Sequence, residues 1–203
     1  MNKNYERALE LETNTIRHIA SFDAMTATQI AILNYRVASR GAIVCTQRLL
    51  ARMRAQGLVA RAIGGDGIYR NFLTQSGCMR AEEFYEARFS PGYDRSYLNA
   101  ARYDVVIETA ITRAQAIDGA TVFGRGLIRG TALRDTHRHV DAIVARETDG
   151  TIAPVIFIAK ASSVAPSAIE RIRGLRQRYS DKLLLVGDNR VVASAMRKTG
   201  ARL

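Results

Sequence analysis

The sequence predicts a mixed α/β chain in two domains: an α+β arrangement over residues 1–90 and an α/β arrangement over residues 96–203. Three observations carry that expectation. Between residues 26 and 84, two helix-period stretches are followed by two alternating stretches flanking Gly64-Gly65-Asp66-Gly67. Ser90-Pro91-Gly92-Tyr93-Asp94 then breaks all periodicity. Beyond it the element order changes to α-β-β-β-α-β-α.

Residues 5–20 read as a helix with Leu9, Ile16 and Ile19 on one stripe. Thr26 or Thr28 is placed to cap the next helix, which runs to about Tyr35, because a side-chain oxygen there can accept an orphan amide of the first turn. Residues 42–56 turn Ile43, Leu49, Leu50 and Met53 inward. Gln47, Arg48, Ala51, Arg52 and Ala55 share the opposite face, and Gly57 ends the helix as a left-handed cap. Residues 58–63 and 68–73 alternate as strands, and Thr74 opens a helix over 75–88. Two short helices, a glycine-tipped strand pair and a further helix make a winged helix-turn-helix. The second helix of such a unit fits the DNA major groove, about 12 Å wide.

In the second half, residues 96–117 read as a helix and 121–128, 137–146 and 152–161 as strands. Thr148-Asp149-Gly150-Thr151 is a hairpin turn between the last two. Residues 165–179 read as a helix, 182–187 as a compact apolar strand and 189–199 as a final helix.

Net charge is +11 over 203 residues, and 47% of residues are hydrophobic, enough for a real core. The excess is shared, +4 through Ser96 and +7 after it, and it points to a polyanion. Only four of the thirty basic residues are lysines. Arginine forks suit phosphate and guanine edges, so double-stranded DNA is the first partner to expect. No apolar run of about 18 residues is present and the first residues lack an apolar core, so no membrane insertion and a cytoplasmic location are expected. Cys45 and Cys78 fall inside predicted helices and read as buried reduced thiols.

Three runs of the first half have a family look: Thr26, Gln29 and Ile30 at a helix start; Arg48-Leu49-Leu50 through Met53 to Gly57-Leu58-Val59; and Tyr69-Arg70-Asn71-Phe72-Leu73-Thr74 to Gly77. With them, the chain resembles the replication-relaxation family of plasmids and integrative elements, whose members include MOB-C-type relaxases. The second half resembles a restriction-endonuclease-like core. The resemblance implies a role in conjugative mobilisation, at a relaxosome or in plasmid replication. A relaxase, a coupling protein or other transfer machinery, and a second copy of the chain, are then further partners. It also implies where a nuclease site would lie: an Asp on the second core strand and Glu-x-Lys on the third, holding Mg²⁺ or Mn²⁺. Asp141 and Lys160 match, but Ile158 stands where the glutamate belongs and cannot ligate a metal; Glu108 is the substitute carboxylate to consider. The domain is therefore expected to be catalytically degenerate and to need no cofactor. The enzymatic alternative is a metal-dependent nicking enzyme using Asp141 and Lys160, and a third reading is a winged-helix transcriptional regulator.

The residues expected to touch DNA are Gln47, Arg48 and Arg52 at base edges, Thr46 or Arg54 at a phosphate, and Arg61 and Arg70 of the wing on the neighbouring backbone. Arg171 and Arg178, one heptad apart on one helix, form either a phosphate-tracking ridge or a solvated face. His137, His139 and Asp141, spaced by two on a presumed strand, are a weak metal-ligand set, since neighbours on one strand rarely converge on one ion. Tyr93, Tyr97, Tyr103 and Tyr5 are candidate nucleophiles that read more simply as packing residues. Gly124-Arg125-Gly126 and Arg129-Gly130 either offer amides to a phosphate or make a strand-end loop.

Overall fold

A computed structural model gives a mixed α/β chain with two separate sheets. It describes residues 3–93, 95–117, 119–131, 133–137, 140–158, 166–179, 182–187, 192–193 and 196–197. Two compact units form: residues 1–103 together with 124–138, and residues 104–123 together with 139–203.

In the first unit, helix α1 (Lys3–Phe22) leads into strand β1 (Ala24–Met25), helix α2 (Ala27–Tyr35), helix α3 (Arg40–Ala55), the hairpin of β2 (Val59–Ile63) and β3 (Tyr69–Leu73), and helix α4 (Gln75–Glu82). Of the two expected caps, Thr26 and Thr28, Thr26 is the one that starts helix α2. Thr26 accepts from the Gln29 amide while Gln29 Oε1 accepts from the Thr26 amide, a reciprocal capping box. Ser39 caps α3 by accepting from the Ala42 amide alone, since alanine has no polar side chain to return the bond, and Gly57 follows α3 with φ +72°. The sheet order is β1-β3-β2, all antiparallel, with Met25 opposite Asn71 and Ile63 opposite Tyr69. Ile16, Ile19, Phe22, Ile30, Leu50, Met53, Val59 and Leu73 close the core. Leu9, assigned to the inward stripe of α1, is exposed instead, because α1 extends a full two turns beyond the elements that cover its buried half. Helix α4 stops at Glu82 rather than near 88. The Phe84 amide turns back to Ala81 O, and Glu82 Oε1 accepts from the Phe89 amide.

The second unit carries helix α5 (Tyr97–Gln115) from Asp104 onward and a sheet of order β4-β5-β6-β7. Its strands are β4 (Ala120–Gly124), β5 (Ala142–Arg146), β6 (Thr151–Ile158) and β7 (Leu184–Gly187). Helix α8 (Pro166–Tyr179) connects β6 to β7. Strands β5 and β6 are antiparallel across the expected Asp149-Gly150 turn, with Gly150 at φ +64°; β6 and β7 are parallel, as a helical crossover requires. Ile107, Ile111, Ile143, Val155 and Ile172 are buried here, the last among Ile169, Leu183 and Leu185.

Two expected strands are shorter than the apolar pattern suggested. The stretch 121–128 is β4 followed by helix α6 (Arg125–Gly130), and 137–146 is the end of helix α7 (Leu133–His137) followed, after a gap, by β5. The cause of the first change is close backbone approach. The Gly124 amide donates to Ser21 Oγ at 2.7 Å, and a Cβ on Gly126 would stand 2.2 Å from Ala20 O, so the chain must turn away from the sheet to seat α6 on the end of α1. The final helix expected over 189–199 lies mostly outside the described residues.

Candidate nucleic-acid interface

Helix α3 is amphipathic in the sense required of a groove-reading helix. Leu49, Leu50 and Met53 are buried and Ile43 is half-buried. Gln47, Arg48, Ala51, Arg52 and Ala55 are exposed together. The helix contains four arginines beside no carboxylate. From Ala24 to Ala81 the chain has eight arginines and one acidic residue, Asp66. That single carboxylate is already neutralised. Arg70 Nη1 and Nη2 donate to its two oxygens at 2.9 and 2.6 Å. Asp66 also accepts from the Ile68 amide, and these hydrogen bonds from Arg70, more than any other cause, hold its carboxyl below the usual carboxylate range. The stretch therefore carries an excess of positive charge, the kind of balance that attracts a polyanion.

The expected contacts divide into those the structure leaves outward and those it does not. Gln47 and Arg48 are exposed. Arg52 is exposed and also bonds Glu12 of α1 at 3.2 Å, an outlying ion pair of small worth. Arg54 is half-buried, donates to Asn71 Oδ1 at 3.3 Å, and has its pKa lowered by burial and by neighbouring Arg61. Asn71 in turn donates to Met25 O, so it ties α3 to the sheet. Arg61 is exposed, with its guanidinium 4.6 Å from the Tyr69 ring centroid. Two expectations fail. Thr46 is fully buried and cannot reach a phosphate, since its position faces the same side as Leu49 and Leu50. Arg70, expected on the wing, has 0% side-chain exposure: the register puts it on the opposite sheet face from Arg61, where it is held by Asp66. Cys45, expected buried, is exposed on α3, whereas Cys78 is buried, as expected, and its thiol is pushed up to about 11, chiefly by burial.

In the second unit, Asp141 is 5% exposed and sits just ahead of β5. Its amide donates to Val155 O and its Oδ2 accepts from the Phe157 amide at 2.7 Å, so the carboxylate serves the join between β5 and β6. Glu108 is exposed on α5. Lys160 and His139 lie outside the described residues, as does the side chain of Ile158, whose backbone pairs with Gly187 on β7. His137 ends α7 rather than lying on a strand with Asp141, so the two-residue spacing behind the proposed ligand row does not hold. Among the described residues no group of three His, Cys, Asp or Glu side chains gathers to hold a metal ion. A divalent ion for strand-cleavage chemistry needs oxygen ligands from several groups. Asp141 brings one carboxylate, whose Oδ2 is engaged with backbone, and Lys160, which the nicking alternative pairs with it, lies outside the described residues.

Of the other expectations, Arg178 is exposed with its guanidinium 5.7 Å from the Tyr179 ring, and the side chain of Arg171 lies outside the described residues. Tyr93 packs on Phe72 with ring centroids 5.4 Å apart and its hydroxyl reaches Ala62 O, a packing role; Tyr5 is exposed on α1, and the side chains of Tyr97 and Tyr103 are not described. The Gly124-Arg125-Gly126 stretch spends its close approach on α1, not on an open anion nest. Sequence reasoning missed the exposed apolar residues Ile63, Ile68 and Tyr69 at the hairpin tip. Their alternation identified the strands but gave no sign that this end would be uncovered.

No family model, no curated protein and no solved structure matches the chain. No helix of the described residues is long and apolar enough to cross a membrane.

Thr46 offers a clean stability test. Its hydroxyl is buried with no hydrogen-bond partner among the described residues. Thr46→Val keeps the shape and removes the desolvated hydroxyl. The expected result is a gain of about 1 kcal/mol in urea unfolding with unchanged affinity for DNA. A loss of DNA affinity with intact folding would return Thr46 to the interface.

Proposed function

We propose that the chain is a DNA-binding protein of the winged-helix kind. Helix α3 is inserted in the major groove, and the β2–β3 hairpin lies along the adjoining backbone. The observation that carries this reading is the exposed face of α3: Gln47, Arg48 and Arg52 outward, with no carboxylate on the helix and the one acid of the surrounding stretch sequestered by Arg70. The order helix, strand, helix, helix, hairpin supports it, with Thr26 and Ser39 fixing the entry of both central helices. The setting we propose, on the motif resemblance alone, is an accessory protein of a mobile genetic element, acting at a transfer or replication origin and docking a relaxase or other transfer protein through the second unit. The order α5-β4-β5-β6-α8-β7 within that unit supports an endonuclease-like origin, although α6 and α7 of the first unit intervene between β4 and β5, and the engagement of Asp141 with backbone supports its degeneracy.

The test is binding to duplex DNA across a salt series. Log affinity should fall linearly with log salt, by about 0.9 for each phosphate neutralised. Arg48→Ala should cost about 1–3 kcal/mol on the preferred site and relax its sequence preference. Arg61→Ala should weaken all sequences alike and lower the salt slope by about 1. Binding indifferent to salt sinks the proposal. Footprints over promoters rather than a transfer origin would favour the regulator reading. Nicking of supercoiled plasmid in Mg²⁺ or Mn²⁺ that disappears in Asp141→Asn would favour the enzyme.

A further inference from the structure

The β2–β3 hairpin ends in an apolar tip that a solvated turn does not need. Ile63 is 51% exposed, Tyr69 55% and Ile68 42%. Ile63 and Tyr69 are direct cross-strand partners, so their side chains stand together on one face, while Ile68 closes the turn one residue before Tyr69. Turn segments normally carry small polar residues at such a place, and clustered exposed apolar side chains mark a surface with a partner.

The tip is also held stiffly. Arg70, buried under the strands, grips Asp66 of the turn with both terminal nitrogens, and Asp66 accepts from the Ile68 amide. The Gly65 amide donates to Arg95 O at 2.8 Å, and the Tyr93 hydroxyl reaches Ala62 O. Position in the strand register says what such a tip meets. Arg61 pairs with Asn71 two residues behind the Ile63–Tyr69 pair, and therefore on the same face. Asn71 is the residue that Arg54 of α3 bonds, and Arg61 lies over the Tyr69 ring. The apolar tip thus continues the face on which Arg61 and Asn71 lie, with Asp66 of the turn paired to Arg70.

We propose that Ile63 and Tyr69 form a wedge that enters the minor groove of duplex DNA, unstacks a base step and bends the helix, with Arg61 held at its edge to meet phosphate. This rests on the DNA-binding reading above. Charge selects the occupant: the arginines around the tip match a polyanion, and the minor groove is about 6 Å wide, which admits side chains but not the hairpin backbone. Apolar wedges of this chemistry kink duplexes by about 20–90°. Deformable TA and CA steps are the expected points of entry.

The experiment uses the whole chain and a duplex of about 30 base pairs of mixed sequence with a central TA step and a dye at each end, a length over which such bends are resolved. A second duplex carries 2-aminopurine at that step. The wild type should shorten the end-to-end distance and raise 2-aminopurine emission. Ile63→Thr/Tyr69→Thr, which keeps strand-compatible residues at exposed positions, should still bind the duplex but leave it straight and dark. Ile63→Val/Tyr69→Phe should restore the bend. Thermal melts equal to wild type show that both variants fold. A straight duplex bound by the wild type, or an unchanged bend with the threonine pair, overturns the wedge while leaving DNA binding intact. Absence of salt-dependent duplex binding by the wild type overturns both. An unchanged bend accompanied by lost self-association or lost binding to phosphatidylserine vesicles would give the tip to a second copy or to lipid and overturn the wedge.

Discussion

Asp66→Ala is expected to lower the stability of the first unit by about 3 kcal/mol, because it leaves the guanidinium of Arg70 buried without its carboxylate. The side chain of Arg70 is wholly covered and that of Asp66 is 11% exposed, so the loss belongs to burial and not to an exposed ion pair. A second variant separates charge from packing. In Asp66→Ala/Arg70→Met both charges are gone and an apolar chain of similar length fills the space, so most of the stability should return. Urea unfolding measures both. If the double variant is as unstable as the single one, the pair is not what supports the hairpin. The pH dependence has a fixed sign. Asp66 is held below its ordinary range in the folded state, so its contribution is complete above about pH 4 and disappears as the pH falls through the lowered folded value. The gap between wild type and Asp66→Asn should therefore be widest near neutrality and close in strong acid. A gap that widens on acidification would contradict the assignment.

Gly126→Ala is expected to cost about 2–3 kcal/mol or more, the range of an overpacked core. The new Cβ would meet Ala20 O at 2.2 Å, Asp23 Oδ1 at 2.6 Å and Ser21 O at 3.0 Å, and two of those are backbone atoms that cannot swing aside. Asp23 is itself confined, at φ +66° and with burial raising its pKa against the opposing pull of Arg129 and Arg125. Gly174→Ala is the control. Nothing lies within 4 Å of its Cβ in α8, so the same change should stabilise by about 0.5–1 kcal/mol through backbone entropy alone. Thermal unfolding distinguishes the two, and equal melting points would refute the steric argument.

Local rules explain which parts of this fold were legible in the sequence. The Thr26–Gln29 box, the Gly57 cap and the Asp149-Gly150 turn are decided by neighbours in the chain, and the apolar period of α3 placed Gln47, Arg48 and Arg52 outward as expected. What a residue meets from distant sequence was not legible. Arg70 alternates like a wing residue, but it is wholly buried and paired with Asp66 of the turn. The run 121–128 has β-branched and aromatic residues, yet the Ser21 hydroxyl and Ala20 carbonyl, a hundred positions earlier, decide where β4 ends. Leu9 carries the right period and lacks a neighbour to cover it. Within the candidate site, the arginine content raised the expectation of a polyanion, and which of Arg61 and Arg70 faces outward was decided by contacts made from other segments.

The polypeptide passes between its two compact bodies three times, since 124–138 returns to the first after 104–123 has joined the second. Severing the chain near residue 90 would therefore not free a self-sufficient reading head. The severed piece would lack Leu127 and Ile128, which are buried in the intact molecule, and would carry bare the end of α1 on which α6 rests. The first unit can therefore be moved elsewhere only together with residues 124–138, which the chain reaches after a stretch that belongs to the second.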